Sequence, residues 1–214
     1  MRSGGRKLNF GQDLSPAELW NPNETMAEFD EKKWRKELEQ ARREKDEWVR
    51  ISPQSPIPHD IRHHMKGLEY FPPDPKLRFV LKLNVYPNPE RLRMATSKGV
   101  ERDFIRYGYF EFEVEGKAQR LQVYKSAPVH EHQLFDGVES LFVPFRDATS
   151  GKESYGAARY VDLEMKPSGV YVLDLNEAYN PYCAYSPDYV CPFPPPENWL
   201  TIPIRAGERN FQKP

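Results

Sequence analysis

The chain lacks any run of about eighteen apolar residues, and its N-terminus, MRSGGRKLNFGQDLSPAELW, has basic residues without an apolar stretch of signal-peptide length. Neither a membrane span nor a secretory leader is expected, which reads as a soluble, cytoplasmic protein. Net charge is equally scarce. The 31 Lys and Arg residues against 32 Asp and Glu give −1, so no global field draws the chain to nucleic acid or to an anionic membrane. Only two cysteines occur in 214 residues, too few for a disulfide framework, and reduced thiols are the default. Helix-compatible windows are few after residue 50, whereas proline (21 residues) and aromatics (13%) are plentiful. That balance tilts the class towards β structure.

Four segments follow from the pattern. Residues 1–23 are polar and punctuated by Gly and Pro, and are expected to form a flexible arm. Residues 24–50 contain TMAEFDEKKWRKELEQARREKDEWVR, without Gly or Pro, and place Trp34, Leu38, Ala41 and Trp48 at helical spacing. One amphipathic helix is expected there, its mixed charges forming a solvated face or, alternatively, a partner surface. Glu28 with Lys32, Glu31 with Arg35 and Glu39 with Arg43 stand at i and i+4. Residues 51–76 hold six prolines and read as a connector laid over a core.

Residues 77–214 read as a β domain that ends in a proline-rich cysteine loop. Strand candidates begin at Arg78, Phe104, Gln119, Ser140, Ala157, Val170 and Leu200. In EFEVEGKAQ, Gly116 separates two alternating runs, with Phe110, Phe112 and Val114 on one face and Glu111 and Glu113 on the other. The expected fold is mainly β, an antiparallel barrel or sandwich with one N-terminal α-helix.

Chemistry is harder to locate. SGK at 150–152 lacks the preceding glycine and the following helix of a Walker A loop, so a plain hairpin turn is expected. Cys183, Cys191, His130 and His132 contain the atoms of a zinc site, but the cysteine spacing is too wide for a structural pair and no metal is expected. His59, His63 and His64 read as surface residues. For Cys183 and Cys191 three readings stay open: buried inert thiols, a local disulfide, or a reactive thiol served by a base such as His130. Arg159 and the pair Asp174 and Asn176 fall on inward faces of two strand candidates. That alternation predicts a cross-strand salt bridge, or the polar floor of a cavity in which Arg159 grips an anion and Asp174 orients it.

The C-terminal residues carry a pattern. LDLNEAYNPYCAYSPDYVCPFPPPENWLTIPIRAGE resembles the hallmark of the domain of unknown function 1684 family of bacterial and archaeal proteins. The matching positions are Asp174, Asn176, Ala178, Tyr179, Asn180, Pro181, Cys183, Ala184, Cys191, Pro192, Asn198, Ala206, Gly207 and Glu208. GLEYFPPDPKLRF, the Thr149-Ser150-Gly151 turn and Arg159-Tyr160 look similar to its earlier motifs. The resemblance implies membership and no activity.

The functional expectation is a small-molecule-binding β domain with Arg159, Asp174, Asn176, Tyr179, Asn180 and Glu208 as candidate ligand-binding residues and no cofactor. A hydrolase using Asp174, Tyr179, Asn180, Cys183 or Glu208 is the alternative, and a structural or interaction module is the third reading.

Overall fold

Two positive backbone angles set the tightest hairpin of the chain: Glu115 at φ 51° and Gly116 at φ 75°. Two consecutive left-handed residues match the twist of antiparallel strands, and Val114 pairs directly with Lys117 across the turn. The computed structural model to which this hairpin belongs describes residues 29–127 and 140–213. The arm at residues 1–23, Glu28, His130 and His132 lie outside the described residues. The elements below belong to the unit Glu31–Pro214.

The helix α1 spans Glu31–Ile51 and the one-turn helix α2 His59–Arg62. The strands are β1 (Arg78–Lys82), β2 (Asn84–Ala95), β3 (Glu101–Val114), β4 (Lys117–Ser126), β5 (Ser140–Phe145), β6 (Arg159–Glu164) and β7 (Val170–Asp174). Among the described residues they make a five-stranded antiparallel sheet in the order β2-β3-β4-β5-β6 and a two-stranded sheet of β1 and β7. The result is sandwich-like rather than a closed barrel. Phe110, Phe112 and Val114 of β3 are buried with Leu121, Val123, Leu141, Val143, Tyr171 and Leu173 in one core, as strand alternation predicts.

The boundaries differ from the sequence reading in two places. NVYPNPERLRMA is a strand, β2, although Pro87 and Pro89 argue against one. It is a sheet edge, mostly exposed, and its register breaks between Val85 and Glu90, so the prolines fall where no ladder bond is required. LTIPIR from Leu200 is not a strand. Leu200, Ile202 and Ile204 are buried, but Pro203 has no N–H, and beyond two backbone bonds, Leu200 N to Arg146 O at 2.8 Å and Ala148 N to Ile202 O at 3.1 Å, side chains hold the segment. No described helix is long and apolar enough to cross a membrane.

Asn198 shows how such side chains work. Pro144 sits in β5 and cannot donate towards β4, and the two strands pair only at Tyr124 and Phe142. Asn198, fully buried, enters the gap: its Oδ1 accepts from Gln122 N at 2.7 Å, and its Nδ2 donates to Gln122 O at 3.0 Å and Pro144 O at 2.7 Å. Asn198→Ala leaves three buried backbone groups without partners. The expected cost is at least ~2 kcal/mol in urea unfolding at an unchanged m value; a loss under ~0.5 kcal/mol would show that the bonds contribute nothing net.

Candidate functional site

The polar face of the C-terminal segment is built from glycine outward. Gly207 has φ 73°, and a Cβ there would run into the carbonyl oxygen and Cβ of Ala178. Only glycine permits that approach. It lets Glu208 N donate to Ala178 O at 2.8 Å and Phe71 N donate to Gly207 O at 2.9 Å. The carboxylate of Glu208, 1% exposed, is thereby carried inside the protein. There Lys45 Nζ meets Oε1 at 2.5 Å, while Asn180 N at 2.9 Å and the Tyr185 hydroxyl at 2.6 Å donate to Oε2. Three donors, one from α1 and two from the C-terminal segment, meet the demand that a buried charge be both paired and hydrogen-bonded. Burial, then the Glu208 charge, raises the Tyr185 pKa well above its ordinary value, so the phenol stays a donor.

Asp174 and Asn176 form a second knot. Asp174 ends β7 and caps the turn Leu175–Glu177, accepting from Asn176 N at 2.9 Å and Asn176 Nδ2 at 2.8 Å on Oδ1. Its Oδ2 accepts from Trp34 Nε1 at 2.6 Å. Asn176 also exchanges two 2.8 Å bonds with the backbone of Asp74, tying the connector to the end of β7.

Arg159 is a correction to the expected pairing. It does not meet Asp174, because β6 pairs with β5 whereas β7 pairs with β1 in the other sheet. Its acid is Asp147, at 3.1 Å, with both side chains nearly inaccessible. The guanidinium also donates to the carbonyls of Ala206, of Ile204 at 2.7 Å and of Glu208 at 3.3 Å. Asp147 accepts in turn from Ile204 N at 2.6 Å and Thr149 Oγ1 at 3.0 Å. Arg159 therefore clamps the segment at Leu200 to the sheet and has no open face with which to grip an anion. Desolvation lowers its pKa, offset in part by Asp147.

Asn176, Tyr179 and Glu208 do converge, on one wall of a groove of about 400 Å³. Tyr70, Glu177 and Ala178 extend this wall, and Trp34, Leu38, Ala41, Arg42 and Lys45 of α1 form the opposite one. Arg42 donates to Phe71 O at 2.9 Å and Asn176 O at 3.1 Å, and its guanidinium lies 4.6 Å over the Tyr70 ring. Lys45 lies 4.9 Å from the Tyr179 ring centroid. The Tyr70 hydroxyl is buried and has no hydrogen-bond partner among the described residues. Burial, then Glu208 and Asp46, pushes its pKa up, keeping its proton in place. Asn180 and Asp174 stand behind this wall rather than in it.

The inward placement of Arg42 and Lys45 was missed in the sequence, where the helix charges read as a solvated face. Glu31 and Arg35 do pair on the surface at 2.7 Å. The available signal was spacing: Leu38, Arg42, Lys45 and Val49 follow a 4-3-4 stripe whose two ends are buried. Asp147 was likewise readable only as a turn residue before Thr149.

Past the groove, Lys45 and Tyr179 also line a second cavity of about 380 Å³ that includes Tyr160, Tyr182, Tyr185 and Cys191. Cys183 and Cys191 are unbridged, the first half-buried and the second buried. Cys183 N lies 3.3 Å from the Cys191 sulfur, and the Tyr155 hydroxyl lies 3.7 Å from the Cys183 sulfur.

This arrangement falls within residues 63–209, which match the family model described as "Protein of unknown function (DUF1684)". The chain belongs to that family. It is also similar to the solution NMR structure of an uncharacterized protein of Haloarcula marismortui, at 36% identity, covering 83% of this chain and 95% of that one, with a TM-score of 0.62. No curated protein matches the chain. The family match thus supplies the wall bearing Asn176, Tyr179 and Glu208, and α1, N-terminal to it, supplies the wall bearing Arg42 and Lys45.

Glu208 should be the costlier side of its ion pair. Glu208→Ala is expected to lower unfolding free energy by about 3 kcal/mol, since Lys45, Tyr185 and Asn180 N all lose an acceptor. Lys45→Met should cost about 1–2 kcal/mol, because two donors still reach the carboxylate. Equal costs in denaturant titrations would contradict this ordering.

Proposed function

We propose that the protein binds a small organic molecule in the groove between α1 and the wall of Asn176, Tyr179 and Glu208. The observation that carries this reading is the lining itself. A concavity of about 400 Å³ is of ligand size, and it joins aromatic and aliphatic surface to a few fixed polar groups. Trp34, Leu38 and Tyr179 offer apolar contact, while Arg42 and Lys45 are pre-oriented by their internal bonds. The partnerless Tyr70 hydroxyl at the wall adds to this support, since a buried donor without an acceptor calls for one. A ligand with an apolar body and one or two hydrogen-bond acceptors fits such a lining.

Hydrolysis has less support. Asp174 and Glu208 spend their carboxylate oxygens on internal donors, and neither is free to move a proton to a bound molecule.

A fragment library screened by NMR against the full chain tests the reading. Hits should shift the amides of Ala41, Lys45, Asn176 and Tyr179 together. Ala41→Trp, which fills the groove from an exposed helix position, should weaken them at least about tenfold, or ~1.4 kcal/mol, without lowering the melting temperature. Hits that map elsewhere, or that bind Ala41→Trp as well as the wild type, would overturn it.

A further inference from the structure

We propose that Cys183 and Cys191 are a reversible dithiol–disulfide couple, in which Cys183 attacks a small external disulfide and Cys191 resolves the product. Three observations carry it. The Cys191 sulfur accepts from the Cys183 amide nitrogen at 3.3 Å, so the fold gathers the two residues at one point of the loop. Access is asymmetric: Cys183 is half-exposed in the turn Tyr182–Ala184, and Cys191 is buried. Anchoring is asymmetric too. Cys191 is held to the chain just after β2 by its N–H to Ser97 Oγ at 3.1 Å and by its carbonyl, which accepts from Ser97 N at 3.0 Å. The attacking group thus lies in a short turn and the resolving group on a fixed platform.

The electrostatics run the same way. The hydrogen bond from Cys191 pulls the Cys183 thiol down to about 6 against the cost of burial, with a further contribution from Tyr155. The Cys191 thiol is pushed up, first by donating to Cys183 and then by burial. A lowered thiol at the half-buried sulfur beside a raised one at the buried sulfur is the division of labour that exchange chemistry requires.

The step balances with a low-molecular-weight disulfide as oxidant. The Cys183 thiolate bonds to one sulfur of the disulfide and expels the other half as a thiolate. Cys191 then gives up its proton, bonds to the Cys183 sulfur and expels the second half. Two protein thiols and one disulfide become one protein disulfide and two small thiols. This couple stands whether or not the groove takes a ligand.

The test is exposure of the reduced full-length chain to excess oxidised glutathione at neutral pH, read by intact mass and peptide mapping. The wild type should lose two hydrogens and yield a Cys183–Cys191 link that reduced thiol reverses. Cys191→Ser should stop at a single glutathione adduct on Cys183, and Cys183→Ser should react at least about tenfold more slowly. In the wild type, which needs no variant to fold, the rate of Cys183 alkylation should rise with pH and reach half its maximum near 6. Persistence of both free thiols, a doubly glutathionylated wild type, or equal reactivity of the two serine variants would overturn the proposal.

Discussion

Buried backbone that is not in a ladder must find its hydrogen bonds elsewhere, and residues 175–209, about half of them buried, lie outside the named strands. They cross the sandwich, bury Leu175, Ile202, Ile204 and Ala206 in its core, and form only one-turn helices and isolated bridges on the way. The solution is a set of buried polar side chains that act as substitute strand partners. Asn198 serves Gln122 and Pro144, Asp147 serves Ile204 N, Arg159 serves three carbonyls, and Glu208 serves Asn180 N. Removing one member leaves its partners desolvated and unpaired, which costs more than the bond itself contributes. All four lie within residues 63–209, the part of the chain that matches the family model.

The same constraint places the groove. Because Gly207 brings Glu208 against Ala178, a carboxylate is presented to α1, and α1 answers with Lys45 and Arg42 instead of apolar residues. A helix docked through long polar side chains stands off from the body, with Leu38 and Val49 as its buried contacts. The space between is the groove. Its polar character is thus a consequence of how the C-terminal segment is satisfied, and its concavity a consequence of how the helix is attached. The dithiol lies farther along the same segment, where Pro192 bridges to Thr96 and the chain is fixed to β2.

Much of the architecture was legible in the sequence, because local chemistry decided it. The alternation of Phe110, Phe112 and Val114 with Glu111 and Glu113 gave β3 its inner face, and Glu115-Gly116 gave the turn. Other features were not, since they depend on contacts distant in the chain. Leu200 to Arg205 has strand-like alternation, yet it makes only isolated backbone bonds, to Arg146 and Ala148, and is otherwise clamped by Asp147 and Arg159, which no local pattern distinguishes from a ladder. Arg159 was visible as an inward charge, but its acid lay in a turn rather than on the strand carrying Asp174. Of the six candidate ligand-binding residues, Asn176, Tyr179 and Glu208 reach the groove; Asp174 and Asn180 brace it from behind, and Arg159 belongs to the core.

Native-state hydrogen exchange tests the substitute-ladder account most directly. The amides of Gln122, Asn180 and Ile204, each donated to a buried side chain, should exchange only through global unfolding, with the same free energy as the amide of Leu121 in the β3–β4 hairpin. Exchange of Asn180 and Ile204 through low-energy local openings, with Leu121 still protected, would contradict the account and make the C-terminal segment a loop resting on an independently stable sandwich.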